Sequence, residues 1–291
     1  MFDEDFSMIF HYSNRNGGDL FQLTTNNEGL TERLFANVHT QYGPHNLDET
    51  IREWTEEIAN SLIWAGKAFY HLGEDPESDD VHISSFGPSG VSTVFGLTFQ
   101  WLPRRTERHW DRDDEEKSRE IRFLDRRKLL RFKMPKVLRK MLFRQNKTLA
   151  VLDKHQHGTI NLHPQATHEN PNPTNHFDFS VWRNAQDLAL YRATRATGWN
   201  GRKHDGSKRS DFFDCHRLIR FRRNQLILRD DILKQLGLEL TRVGKHFSAQ
   251  YDVRVKANEQ LPSVEQLDEL EARLSGEEAA FSEVVDFCYK T

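Results

Sequence analysis

Cysteine is scarce in this sequence. Only Cys215 and Cys288 occur, and neither belongs to a CxxC pair. Two widely spaced thiols make no disulfide framework, so a reducing compartment is expected. Long apolar runs are missing as well. No stretch approaches the ~18 residues that a membrane helix needs, so no membrane partner is expected. The acidic start MFDEDFSMIF has no basic n-region and does not read as a signal peptide. Nucleotide loops and hydrolase elbows are absent too: there is no P-loop, no GxGxxG, no GxSxG and no HExxH. A catalytic role is therefore the weaker reading, and no cofactor is expected.

Positive charge is rare at the front and abundant in the middle. Residues 1–100 carry net −12, residues 101–150 net +9, residues 151–225 net +5 and residues 226–291 net −5. Such blocks suit a polyanion facing the middle of the chain, or acidic and basic surfaces that meet between neighbouring copies. Twenty Phe and six Trp argue against general disorder, because aromatics supply much of the burial in so polar a chain.

Periodicity predicts an α+β protein. The front has mixed strands with one long amphipathic helix, and the C-terminal half is mainly helical. FSMIFHYS (6–13) alternates like a strand, and LFQLTT (20–25) is its expected partner across the turn NRNGG. A short helix is expected near 28–38. In 45–66, Leu47, Ile51, Trp54, Ile58, Leu62 and Ala65 recur at helical steps. Asn46 caps this helix with Glu49 three residues on, and Gly66 ends it. Asp48, Glu49, Glu53, Glu56 and Glu57 occupy its other face. Strands are expected at 67–74, 81–86, 91–103, 120–125 and 129–135. The charge-dense 104–120 between them reads as an exposed excursion or hairpin. Helices are expected from Lys136, at 179–199 and at 211–246. A strand at 250–257 and two final helices follow, the first capped by Ser263 and Gln266. The expected organisation is an α+β domain over 1–153, a His/Pro/Asn-rich loop over 154–177 and a mainly helical region over 178–291.

Two clusters carry candidate chemistry. From Arg126 to Val151 there is no acidic residue. Arg126, Arg127, Lys128, Arg131 and Lys133 lead into a helix whose Lys136, Lys140, Arg144 and Lys147 share one face, with Arg139 beside them. With Arg217, Arg220, Arg222 and Arg223 downstream, these are the candidate contacts to nucleic acid phosphates. Arg222 and Arg229 interrupt the apolar stripe of the long helix, and they are expected to pair with carboxylates or to meet another chain.

The second cluster is HQHGTINLHPQATHENPNPTNH (155–176). His155, His157 and His163 are its metal candidates, since two His two apart on a strand share a face. Without a fixed carboxylate or a helical i, i+4 pair, the segment reads better as a polar arm or contact. A metal-dependent hydrolase using these His stays open as an alternative.

LDETIREWTEEIANSLIWAGKAFYHL (47–72) and EIRFLDRRKLLRFKMP (120–135) resemble part of a tailed-phage portal protein. There a helix enters a strand through a small-residue turn, and a strand-like run returns before the ring-lining helices. The long helices over 179–246 and the tail SVEQLDELEARLSGEEAAFSEVVDF (263–287) are similar to the stem and terminal helices of such proteins. The resemblance covers about half the chain and rests on element order. It implies a non-catalytic homo-oligomeric ring around double-stranded DNA, with other assembly proteins as partners. The expected location is cytoplasmic or associated with a virion or prophage. A nucleic-acid-binding accessory protein of a phage-defence or DNA-processing complex is the alternative without a ring.

Overall fold

The computed structural model describes residues 2–10, 19–38, 46–74, 80–102, 105–109, 112–117, 120–160, 188–199 and 211–290. Helices α1 (Phe2–Ser7), α2 (Glu28–Ala36) and α3 (Leu47–Ala65) precede most of the strands. Strands β1 (Phe21–Thr25), β2 (Lys67–Glu74), β3 (Val81–Phe86), β4 (Val91–Val94) and β5 (Leu97–Leu102) come first. They are followed by β6 (Arg105–His109), β7 (Arg112–Lys117), β8 (Glu120–Leu124) and β9 (Leu129–Lys133). Helix α4 (Lys136–Ile160), a helical segment at 188–193 and α5 (Asp211–Gly244) follow, then β10 (Val253–Ala257), α6 (Val264–Ser275) and α7 (Phe281–Lys290). The fold is α+β, with antiparallel sheets and a helical C-terminal half.

The chain forms two compact units that do not follow chain order. One comprises Ser7–Met134 with Leu228–Leu261, and the other Met1–Phe6, Pro135–Ile227 and Pro262–Thr291.

The strand-bearing unit is built on α3. Asn46 accepts the Glu49 N–H at 2.8 Å, which satisfies one of the orphan donors at the helix start. Gly66 sits at φ 71, the left-handed conformation in which a side chain would be strained, and its N–H closes the helix on Leu62. Trp54, Ile58 and Leu62 are fully covered, and Trp54 meets Tyr70 of β2 edge-on at 5.6 Å. Strand β2 is the middle of the sheet β3-β2-β9, with Tyr70 opposite Leu130 and Leu72 opposite Ile83. The opposite face of this sheet gathers Phe69 and Leu129 with Val91 of β4 and Leu124 of β8. The second sheet, β4-β5-β8, packs there.

Two of the acidic residues on the other face of α3 have partners within the chain. Asp48 accepts the Leu20 and Phe21 N–H groups at 3.1 and 3.3 Å. Burial pushes the Glu57 carboxyl above its ordinary value, while hydroxyls of Ser85 and Tyr70 donate to it and oppose that rise. These two carboxylates of the acidic front are therefore engaged within the chain.

The edge of β9 is covered by side chains of α5. Glu239 accepts the Arg131 N–H at 3.1 Å, and Gln235 exchanges hydrogen bonds with both backbone groups of Lys133 at 2.9 and 2.8 Å. Arg242 donates to the carbonyls of Arg126 and Leu129. A sheet edge is an open pairing template, and here polar side chains occupy it. On the same helix, Gly244 admits the ring of Tyr251, which a methyl group would meet at 2.2 Å.

Two sequence expectations fail at the N-terminus. Residues 2–7 are a helix, not part of a strand, and β1 pairs with β10 across most of the chain. The reason is packing. Phe2 and Phe6, four apart with an acidic first turn, stack at 5.4 Å and bury against Trp199 and Phe221. Residues 11–18 lie outside the described ones. The excursion at 104–120 holds the two-stranded pair β6–β7.

In the helical unit, α6 carries a complete capping box between Ser263 and Gln266. Cys215, Ile219 and Leu226 of α5 form one core with Leu267, Leu270, Leu274, Val284 and Cys288. Burial raises both thiols, Cys288 to about 12, and Asp211 and Asp214 add to the rise at Cys215. Neither thiol should react with a water-soluble disulfide reagent at pH 8 until the helices open, whereas both should titrate at once in denaturant. Fast native labelling of either would contradict this core. A thiol with a raised folded pKa keeps its stabilising contribution below its ordinary value of 9.0. At Cys288 that contribution is lost as pH climbs towards about 12.

Candidate functional site

Helix α4 presents the basic face that the sequence predicts. Leu138, Leu142 and Gln145 are buried, which turns Lys136, Arg139, Lys140, Arg144 and Lys147 outward, all exposed. None of these five makes an ion pair with another described residue. Val137 and Phe143 are exposed among them, Phe143 at 70 %.

The other candidates divide. Arg126, Arg127 and Lys133 are exposed in the strand-bearing unit, with Arg126 donating to the Gly96 carbonyl at 3.1 Å. Lys128 is paired with Glu74 at 3.1 Å, and Arg131 is half-buried. The group on α5 is structural. Arg217 is buried, stacks over the Tyr191 ring at 4.2 Å and donates to Tyr191 O, Thr194 Oγ1 and Trp199 O. Arg222 is buried and donates to Gln225, and Arg223 holds Asp268 and Glu271 at 2.5 Å each. Arg220 donates to the Arg195 carbonyl at 3.1 Å. Burial works to raise the Glu271 carboxyl, but Arg223 and His216 outweigh it and hold it below its ordinary value. Arg229 is buried too and pairs with Asp230 at 2.8 Å, so both stripe-breaking arginines are engaged within the chain.

Sequence reasoning missed Arg192. It stands with Lys140 and Arg144 around a groove of about 550 Å³ between α4 and the segment 188–196. The floor is Met141 with Ala189, Ala193 and Ala196. Those alanines are four and three apart in LALYRATRAT (188–197), a small-residue stripe that was legible. Gln145 also lines the groove, is 2 % exposed, and its amide nitrogen has no hydrogen-bond partner among the described residues.

An open apolar face is the other surface feature. On the outer side of β4-β5-β8, Val94, Leu97, Trp101, Ile121 and Phe123 are exposed, Phe123 at 75 %. Trp101 lies opposite Ile121, and Val94 opposite Leu97. Phe95 at the β4–β5 turn is wholly exposed.

The His-rich expectation changes. Helix α4 runs on to Ile160, so positions 155 and 157 are helical and not on a strand. His163 and the rest of 161–187 lie outside the described residues. Among the described residues, no group of three or more His, Cys, Asp or Glu is placed to hold a metal. Nor is any described helix long and apolar enough to cross a membrane.

No protein-family model matches the chain, and no curated protein matches it. Among solved structures it is similar to a chain from the virion of a native gene transfer agent particle. That match has 11 % identity and TM-score 0.44, over 92 % of this chain and 85 % of the other. It is also similar to chains from the neck of empty and native particles of that kind, computed with C6 and C12 symmetry. Both have 11 % identity and TM-score 0.45, over 99 % and 98 % of this chain and 87 % and 88 % of theirs. Likenesses at these scores assign the chain neither a family nor a function.

Proposed function

We propose that this chain is a non-catalytic assembly protein of portal character in a phage-like particle. It builds with further copies of itself and with other particle proteins, and it contacts double-stranded DNA without reading sequence. The observation that carries the assembly role is the open face of β4-β5-β8. A row of exposed Leu, Ile, Phe and Trp on one sheet face is costly to leave in water, and such patches mark protein contacts. The order helix α3, Gly66, strand β2, returning strand β9 and helix α4 is the one on which the portal resemblance rests. DNA contact is assigned to Lys136, Arg139 and Lys147, which project from α4 without a described carboxylate partner. Particle-associated location follows from the same reading.

Light scattering after size exclusion tests the assembly role. A discrete particle of many copies is expected at low micromolar concentration. A strict monomer at every concentration and salt would remove the assembly role and leave the accessory DNA-binding reading.

A further inference from the structure

We propose that the groove between α4 and the segment 188–196 receives the exposed face of α7 from a second copy of this chain. The inference rests on the assembly reading and deepens it by naming the two surfaces that meet.

Helix α7 is apolar on two sides. Val284 and Cys288 are buried in the helical core, yet Phe281, Val285 and Tyr289, at i, i+4 and i+8, are exposed. That spacing puts three large side chains in one stripe, the pattern of a helix that docks into an apolar groove. The groove described above suits such a helix. Its alanine floor allows close approach, and its volume leaves room for one or two large side chains.

Charge selects the occupant. Residues 262–291 carry eight acidic and two basic residues, whereas 136–151 carry five basic and none acidic. Glu277 and Glu278 precede the stripe and are exposed. Lys140, Arg144 and Arg192 rim the groove. The groove floor also holds an unmet donor at Gln145 among the described residues. Both surfaces belong to the same unit, and in one copy the groove is open while the stripe is exposed. The contact is therefore between copies. Because it joins two different patches, it is heterologous and propagates into a ring or filament. Lys140 and Arg144 lie at the groove edge of α4, which leaves Lys136, Arg139 and Lys147 free for DNA.

The test uses two full-length variants altered at exposed positions or at the groove rim. The groove variant is Lys140→Glu, Arg144→Glu, Arg192→Glu. The helix variant is Val285→Ser, Tyr289→Ser. Sedimentation is measured for each alone, mixed, and for the chain carrying all five changes, with circular dichroism to confirm folding. Each variant alone should need at least about tenfold more protein to assemble than the unaltered chain. Mixed, each supplies the surface that the other lacks, so the pair should stop at a dimer. The chain with all five changes lacks both surfaces and should assemble no better than either variant alone. If the unaltered chain assembles and both variants assemble equally well, this contact is wrong and the assembly reading stands. Folded variants that lose assembly but give no dimer on mixing also overturn it. An unaltered chain that stays monomeric overturns the assembly reading and this contact together.

Discussion

Reversing Lys136, Arg139 and Lys147 to Glu lowers the slope of log affinity for duplex DNA against log salt by about 2.7, if each touches one phosphate. Between 50 and 200 mM salt, a slope of that size corresponds to about a 40-fold change in affinity. The physical basis is counterion release. Each cation that neutralises a phosphate frees a condensed ion, and Glu in its place repels the backbone. These three residues are exposed on α4, where no acidic residue occurs from Arg126 to Val151. A control carries the same charge change elsewhere: Lys245, Arg254 and Lys256, also exposed, reversed together. The control should lose much less affinity and keep its slope. Equal losses in both variants would mean that net charge, not the α4 face, governs binding. Loss of affinity that is the same for unrelated duplexes is also expected, because phosphate contacts carry no sequence information.

Trp54→Ala is the substitution with the largest expected effect on stability. Trp54 is fully buried and meets Phe35 at 6.0 Å and Tyr70 at 5.6 Å, both edge-on. Emptying such a site costs about 3–5 kcal/mol, because transfer energy is lost and the cavity cannot fully collapse. Against a usual stability of about 5–15 kcal/mol, that is a large share. Thermal unfolding should fall by about 10 °C. Trp64 is the internal control. It lies ten residues further along the same helix and is 73 % exposed, so Trp64→Ala should stay within about 0.5 kcal/mol. Similar losses at both positions, in denaturant or heat, would contradict the packing of α3 on β2.

The residues differ in how much they disclose by themselves. Helix α3 was legible from its steps of three and four, from Asn46 and from Gly66, because caps and periodicity are local. The α5 stripe from Cys215 to Val243 was equally legible, down to the two arginines that break it. Pairing was not legible. LFQLTT reads as a strand, but nothing in it names Val253–Ala257 as the partner, since backbone hydrogen bonds are the same for any strand. The basic face of α4 was visible in the sequence, whereas the burial of Arg217 and Arg222 was not. An arginine on a helix reads as solvated until neighbouring carbonyls, hydroxyls and amides enclose it.

What the sequence by itself determined is therefore local. It set most of the helices and strands from Glu28 to Lys133, the caps of α3 and α6, the basic run at 126–151 and the absence of nucleotide or hydrolase motifs. Tertiary structure decided which charges remain at the surface. Asp48 and Glu57 were drawn inward by backbone N–H groups and hydroxyls, and the edge of β9 was covered by Gln235, Glu239 and Arg242. It also decided which apolar residues stay uncovered, on β4-β5-β8, on α7 and in the groove lined by Arg192. Burial is a property of contacts between segments distant in the chain, and those contacts have no local signature.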